Sequence, residues 1–456
     1  MPPSEISSRA RLADLARSRV SDDRAFIDYR TERNMTRLDT PPESFFGASV
    51  LIQPREQLAA AAAMIELDGV ARRIVLVPPG VTGTDLAAVA EDAEVDSVVV
   101  DSRDVSTPRA RVATLDLSSF RSAPAIERVH DTEWILLTSG TSGRPKLVQH
   151  SLAGLTGAVP APSAAGAVEV WSTFYDIRRY GGLQIFLRAL IGGRDLALSS
   201  PRESLEHQLS RLGRAGVTSI SGTPSHWRKV LMCAARADFK PDYVRLSGET
   251  ADQAALDALS ARFPDAAVEH AYASTEAGVA FAVADRREGF PETFLNKADS
   301  AVEMKIVDGT LRIRSPRAAS RYVGPGAPVL KDDEGFVDTG DFVERRGGRV
   351  HFLGRKGGII NVGGQKVAPE EVEAVINTNE LVANSRVVAR RNPITGAVVA
   401  AEIVLRRAAD ATEDSKRRIM AVCRERLDPY KVPVTLRFVD EIPLTAAGKI
   451  GRSANG

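Results

Sequence analysis

The stretch Thr138-Ser139-Gly140-Thr141-Ser142-Gly143-Arg144-Pro145-Lys146 decides how the rest of the chain is read. Its small residues let backbone N–H groups come close to phosphate oxygens, and the hydroxyls of Thr138, Ser139, Thr141 and Ser142 add donors. Lys146 supplies a point charge for a polyphosphate. No Gly-Lys-Ser/Thr ending is present, so the stretch is not a Walker A loop. A bland Gly/Ser/Thr turn has much the same composition. The apolar run Trp134-Ile-Leu-Leu-Thr138 that feeds the loop, and the Arg-Pro-Lys that closes it, favour phosphate binding.

Upstream of this loop, apolar runs alternate with Ala- and Leu-rich stretches of helical character. Residues 73–78 and 95–100 read as buried strands, and the alternation predicts a parallel α/β sheet. Beyond residue 300 the texture changes. Residues 302–307 and 310–314 flank Asp308-Gly309, a strong hairpin signal, and a second hairpin is expected over 385–405, turning at Asn392-Pro-Ile-Thr-Gly396. A glycine-dense segment, 354–364, lies between them, and Pro369 opens a helix over 369–376 with acidic residues in its first turn. The predicted fold is therefore α/β: a large multi-layer N-terminal domain, residues 1–354, with parallel-rich sheets and a β-region, and a small mobile α+β domain, residues 355–456. Each is an ordinary domain length or a short multiple of one.

The bulk numbers exclude some classes. Lys plus Arg (60) nearly balances Asp plus Glu (59), so no global field draws the chain to nucleic acid. No run of about 18 apolar residues appears, which predicts no membrane span, and the polar N-terminus lacks the apolar core of a signal peptide. A cytoplasmic enzyme is expected. Cys233 and Cys423 show no metal-ligand spacing and are read as buried free thiols. The sequence leaves the oligomeric state open.

Four more segments carry chemistry. Tyr272-Ala273-Ser274-Thr275-Glu276 follows a strand-like 267–271. Its carboxylate is a hard oxygen ligand for Mg²⁺ and its hydroxyls suit a phosphate, although Ser-Thr-Glu is also an ordinary helix start. Ser247-Gly248-Glu249 follows the strand-like 243–246. Asp338-Thr-Gly-Asp341 ends on a carboxylate that can accept two hydrogen bonds from a cis-diol, or that simply makes a turn. Pro443-Leu-Thr-Ala-Ala-Gly-Lys-Ile450 holds Lys449, which by itself reads as a solvated surface lysine.

In this order the phosphate loop and these motifs resemble the adenylate-forming superfamily: acyl- and aryl-CoA ligases, adenylation domains of peptide synthetases, and luciferases. The resemblance runs from about residue 134 to the C-terminus. It implies that 138–143 and Lys146 hold the β- and γ-phosphates of ATP, with Thr141 and Glu276 at the Mg²⁺. Ser247, Gly248, Glu249, Ala271, Tyr272, Ala273, Ser274 and Thr275 would contact the nucleotide, and Asp341 and Arg355 the ribose. Lys449, Thr275 and Glu276 would be catalytic. Tyr175, Arg178, Tyr180, Gly181, Ser221, Gly222, Thr223 and His270 would surround the acid. Gly363, Gly364 and Lys366 would line the path of a thiol after the small domain rotates. Two positions depart from the family pattern: Arg178 is expected where many relatives carry histidine, and Gly357 where the interdomain pivot is commonly Asp or Lys.

The implied reaction is ATP-dependent conversion of a small carboxylic acid to acyl-AMP with release of pyrophosphate, then acyl transfer to a thiol, CoA first among the candidates. A stand-alone adenylating enzyme that loads a carrier protein or another acceptor is the alternative. An inactive nucleotide-binding protein is the alternative of another class, and the intact Glu276 and Lys449 speak against it.

Overall fold

A computed structural model of the chain describes residues 11–13, 26–27, 37–38, 42–100, 111–113, 115–116, 129–138, 145–160, 169–200, 203–233, 239–296 and 301–451. Two seven-stranded sheets form the bulk of the molecule. The first has the parallel strands Arg111–Ala113, Ser97–Val99, Ser49–Ile52, Arg73–Leu76 and Glu133–Thr138, then the antiparallel Lys146–His150 and Arg321–Val323. The second orders the parallel strands Phe26–Ile27, Asp195–Ala197, Val170–Thr173, Ser219–Gly222, Tyr243–Ser247 and Ala267–Ser274, and ends with the antiparallel Gly278–Val283. The α/β class read from the sequence is the observed one.

The main core lies between these sheets. The helix Gln57–Leu67 is buried along its whole length, and its alanines let strands and helices of both layers close on it. The helix Tyr180–Gly192 packs in the same core through Leu183, Phe186, Leu187 and Leu190, and stops at Gly193, whose φ of 75° is the left-handed C-cap that glycine provides without strain. On the far face of the second sheet, Trp227, Leu256 and Leu259 of the helices Pro224–Met232 and Gln253–Arg262 cover Ile220, Val244 and Val268. Such alternation along a strand follows from its two-residue period.

A third, five-stranded antiparallel sheet contains the predicted hairpin, Glu303–Val307 and Thr310–Arg314, with Asp308 and Gly309 both at positive φ as a type I′ turn requires. Its core includes Phe281, Phe290, Leu311 and Val350. The last core begins at Ile360 and unites the helices Pro369–Asn377 and Glu413–Arg426 with the strands Val382–Asn392, Gly396–Leu405 and Thr435–Phe438. Among the described residues, no apolar cluster joins residues before Arg355 to residues after it.

The seam between the two bodies is polar. Arg228 pairs with Asp252 at 2.5 Å and donates to the Ala383 carbonyl at 3.3 Å; Asn377 donates to Asp252 at 3.0 Å, and Lys229 meets Glu441 at 2.6 Å. The strand Arg349–Arg355 runs out of the large body into the short turn Lys356–Gly358. Gly357 does not take positive φ there, so this arrangement does not itself demand glycine. Neither cysteine is in a disulfide; Cys423 is buried as expected, but Cys233 at a helix end is only half-buried. No helix among the described residues is long and apolar enough to cross a membrane.

Candidate active site

The parallel strands Val170–Thr173, Ser219–Gly222, Tyr243–Ser247 and Ala267–Ser274 end at one edge, with Ser247 beside Ala271 in register. The carboxyl ends of such strands are where open α/β sheets hold ligands. Just past the first of them, Tyr175 turns inward and its hydroxyl donates to the Ser247 carbonyl at 2.6 Å. Burial pushes this phenol well above its usual pKa, so it stays neutral. A Cβ on Gly181 would stand 3.3 Å from the Tyr175 ring, so that glycine sets where the ring lies.

Arg178 is not in this space. Its side chain is 0% exposed, forks onto Asp176 at 2.6 and 2.8 Å, and gives its remaining Nη1 to the Pro54 carbonyl. Buried and with all three guanidinium nitrogens bonded, it shapes the loop, and Tyr175 is the residue that faces the strand ends. His270 is also misplaced by sequence reasoning. It alternates with Ala271 and therefore points to the opposite face, where Nε2 lies 3.0 Å from the Arg287 carbonyl. Tyr180 belongs to the main core, against His150.

Ser274 ends its strand, and its hydroxyl accepts from Ala277 N at 3.0 Å, so Ser-Thr-Glu forms a strand-to-strand turn and not a helix start. His150 supports this turn from behind, at 2.7 Å from the Thr275 carbonyl. Burial lowers the His150 pKa to about 4, so the ring is neutral and Nε2–H is the donor. Among the described residues the only side-chain partner of the Glu276 carboxylate is the Tyr322 hydroxyl, at 3.4 Å, which leaves its oxygens available. Lys146 stands over the ring of this same Tyr322, at 5.4 Å. Ser139, Gly140, Thr141, Ser142 and Gly143 lie outside the described residues.

Asp341 and Arg355 face each other in register across the hairpin Val337–Arg346 and Arg349–Arg355, with one contact of 2.9 Å. Tyr272 donates to the other Asp341 oxygen at 2.5 Å, its ring stacked on Phe352 at 5.1 Å. Burial and then Asp341 raise the Tyr272 pKa far above the usual value.

Lys449 completes the site from the small body. Its Cε is 3.5 Å from where a Cβ on Gly248 would be, with the Tyr175 hydroxyl and Thr223 as the next neighbours of that point. Burial and then Arg355 lower its pKa, opposed by Glu249, Asp341 and Glu276. The loop is fastened on both sides: Thr223 Oγ1 donates to the Gly448 carbonyl at 2.6 Å, and Ile450 N donates to Glu249 at 2.9 Å. The second Glu249 oxygen accepts from Ser225 N at 3.0 Å, so this carboxylate caps a helix and holds the loop. Sequence reasoning gave Glu249 to the nucleotide and overlooked His150 and His226. The signal for His226 was readable: Thr223-Pro224-Ser225-His226 is a capping box with Pro at N1. His150 had no motif to mark it.

The strands bring Tyr175, Ser247, Gly248, Ala271, Glu276, Asp341, Arg355 and Lys449 around one space. Gly363, Gly364 and Lys366 are elsewhere, in the exposed hairpin Ile360–Val362 and Gln365–Val367, where Gly363 N donates to the Thr395 carbonyl.

The family model for AMP-binding enzymes matches residues 47–320, and that for the AMP-binding enzyme C-terminal domain matches 371–449. The chain belongs to the AMP-binding enzyme family. Within it, the chain is similar to 2-succinylbenzoate–CoA ligases. That of Geobacillus kaustophilus (strain HTA426) is 30% identical over 345 residues, 70% of this chain and 67% of the relative. That of Listeria monocytogenes serotype 4b (strain F2365) is 27% identical over 359 residues, 75% and 73%. Among solved structures, the anthranilate CoA ligase AuaEII in complex with anthranoyl-AMP matches 99% of this chain and 97% of its own, with a TM-score of 0.80 at 16% identity, a likeness of fold. This AMP-binding enzyme is an AMP-forming acid–thiol ligase that uses ATP and Mg²⁺.

Proposed function

We propose that the chain activates a compact aryl carboxylic acid as its acyl-adenylate and transfers the acyl group to CoA. The convergence of Lys449 with Glu276, Asp341 and Arg355 at the strand ends carries this reading. In the first step a carboxylate oxygen of the acid bonds to the α-phosphorus of ATP as the bond to pyrophosphate breaks. Two anions must approach, and the charge of Lys449 would offset the repulsion as the new bond forms. Asp341 and Arg355 would hold the ribose. Glu276, with its free oxygens, is the fitting ligand for Mg²⁺, a cation that keeps waters and phosphates around one or two carboxylates. When bound, that ion neutralises the departing pyrophosphate.

In the second step the thiol sulfur attacks the acyl carbon, the thiol proton is lost, and AMP leaves. Lys449 now fills the site and the Gly363-Gly364 hairpin points elsewhere, so residues 355–456 would turn as a lid about the segment after Arg355. Similarity to 2-succinylbenzoate and anthranilate ligases, and the small residues Gly181, Gly248 and Ala271 near Tyr175, support an aryl acid. ATP–pyrophosphate exchange over a panel of aryl and alkyl acids, with and without CoA, tests the reading. Exchange driven only by alkyl acids would reject the acid class, and adenylate formation without thioester would reject the acceptor.

A further inference from the structure

The helix Pro224–Met232 meets the Lys449 loop through a ring. Thr223 caps the helix, accepting from His226 N at 3.0 Å, and His226 Nδ1 accepts in return from Thr223 N at 3.1 Å. The imidazole is thereby turned with its other edge toward Gly448. A methyl group built on Gly448 would fall on that edge, and Gly448 takes φ +70°, so glycine is required there twice over. Behind the imidazole lies Phe174, stacked at 5.5 Å between centroids and 26° between planes, and Tyr175 presents its edge at 5.8 Å. Phe174 is in turn backed by Gly222, where a Cβ would stand only 2.7 Å from its ring. Glycine, phenyl, imidazole and glycine thus form a continuous column from the end of the strand Ser219–Gly222 to the residue before Lys449.

We propose that His226 is a positioning residue for Lys449: its ring is the stop against which Gly448 seats, so that the lysine enters the site at the right depth. The inference rests on the reading of Lys449 given above and adds the residue that fixes its place. Three observations agree. The Gly448 carbonyl is held by Thr223, the same residue that orients the imidazole, so one helix cap sets both the stop and the latch. The ring is neutral, since burial and then Lys229 lower its pKa to about 4, and it brings no charge to compete with Lys449. Glu249 fixes the other side of the loop through Ile450 N, so Lys449 is held from both neighbours while the ring bears on Gly448.

His226→Asn keeps an acceptor for Thr223 N while removing the ring edge under Gly448. Pyrophosphate exchange by His226→Asn should fall about tenfold in kcat, because a misplaced catalytic group loses rate steeply with distance. KM for ATP and thiolysis of preformed acyl-adenylate should stay within about twofold, since the loss belongs to the adenylation transition state alone. Gly448→Ala should fall about a hundredfold in exchange as its methyl meets the ring. The double variant Gly448→Ala with His226→Asn should recover about tenfold over Gly448→Ala, the sign of two residues in contact. Wild-type exchange in His226→Asn, equal loss of exchange and thiolysis, or a double variant no better than Gly448→Ala overturns the proposal. Lys449→Ala, run alongside, separates the two readings: if it leaves exchange intact, the role of Lys449 is wrong; if it abolishes exchange while His226→Asn does nothing, only the stop is wrong.

Discussion

Two aspartate–arginine pairs of this molecule look alike in composition and differ in everything else. Asp176 and Arg178 are two residues apart in one loop, fully desolvated on the arginine side, and joined by two short contacts with the third donor spent on Pro54. Asp341 and Arg355 come from opposite strands, meet through one nitrogen, and leave the arginine side chain 57% exposed. The first pair is buried, with each of the three guanidinium nitrogens already bonded within the protein. The second holds its carboxylate in place through Tyr272 and keeps most of the guanidinium fork free. A pair that saturates itself makes structure, and a pair held open can make a binding site.

This contrast can be broken by experiment, and the largest effect belongs to the closed pair. Arg178→Met leaves the Asp176 charge uncompensated in a buried loop and should cost about 3–5 kcal/mol of stability. Thermal melting and kcat/KM across the acid panel should fall together, with every acid affected alike; a loss confined to acids carrying a second polar group would return Arg178 to the substrate. Next is Lys449→Ala, beside the open pair: adenylation should drop by a factor of roughly 10²–10³, the size seen when one transition-state charge partner is removed. Thiolysis of preformed acyl-adenylate should survive, and equal loss in both steps would end the assigned role.

A smaller effect is expected from opening the second pair fully. Asp341→Ala should weaken ATP binding by about 1.5–3 kcal/mol, roughly tenfold to a hundredfold by calorimetry, with little change in melting. If melting falls and ATP affinity does not, the two pairs are the same kind after all. The smallest is a shift in pH profile. The lysine is needed protonated, and burial followed by Arg355 lowers its pKa. Adenylation should therefore be full at lower pH and decline on the alkaline side before an ordinary lysine, at about 10.4, would titrate. In Lys449→Arg, whatever activity persists should lose that alkaline limb, because guanidinium does not titrate there.

The fold was legible wherever local signals were strong. The strand at Arg73–Leu76, the hairpin turning at Asp308-Gly309 and the helix at Pro369–Asn377 all follow from pattern or turn chemistry. That Glu276, Asp341 and Lys449 gather at one place was foreseeable where chemistry and order coincide. Sequence reading failed where side-chain direction decides. His270 and Ala271 are adjacent in sequence, yet a strand's two-residue alternation sends them to opposite faces. Arg178 and Tyr175 share one irregular loop, and no periodicity tells which of them turns inward; only Asp176 and Pro54, placed by the fold, remove the arginine. The capping role of His226 was readable, but its contact with Gly448 was not, because Gly448 lies 222 residues away along the chain.

The polar seam between the bodies has a consequence for how the enzyme cycles. Contacts such as Arg228 with the Ala383 carbonyl, Asn377 with Asp252 and Lys229 with Glu441 can be replaced by water one at a time, and among the described residues no apolar cluster spans the seam. Detachment should thus proceed stepwise, like unfastening buttons. Added salt should shorten the residence of the small body on the large one, chiefly by screening the exposed Lys229–Glu441 ion pair. On the proposed lid motion, ionic strength would then act on how long each adenylate waits before acyl transfer.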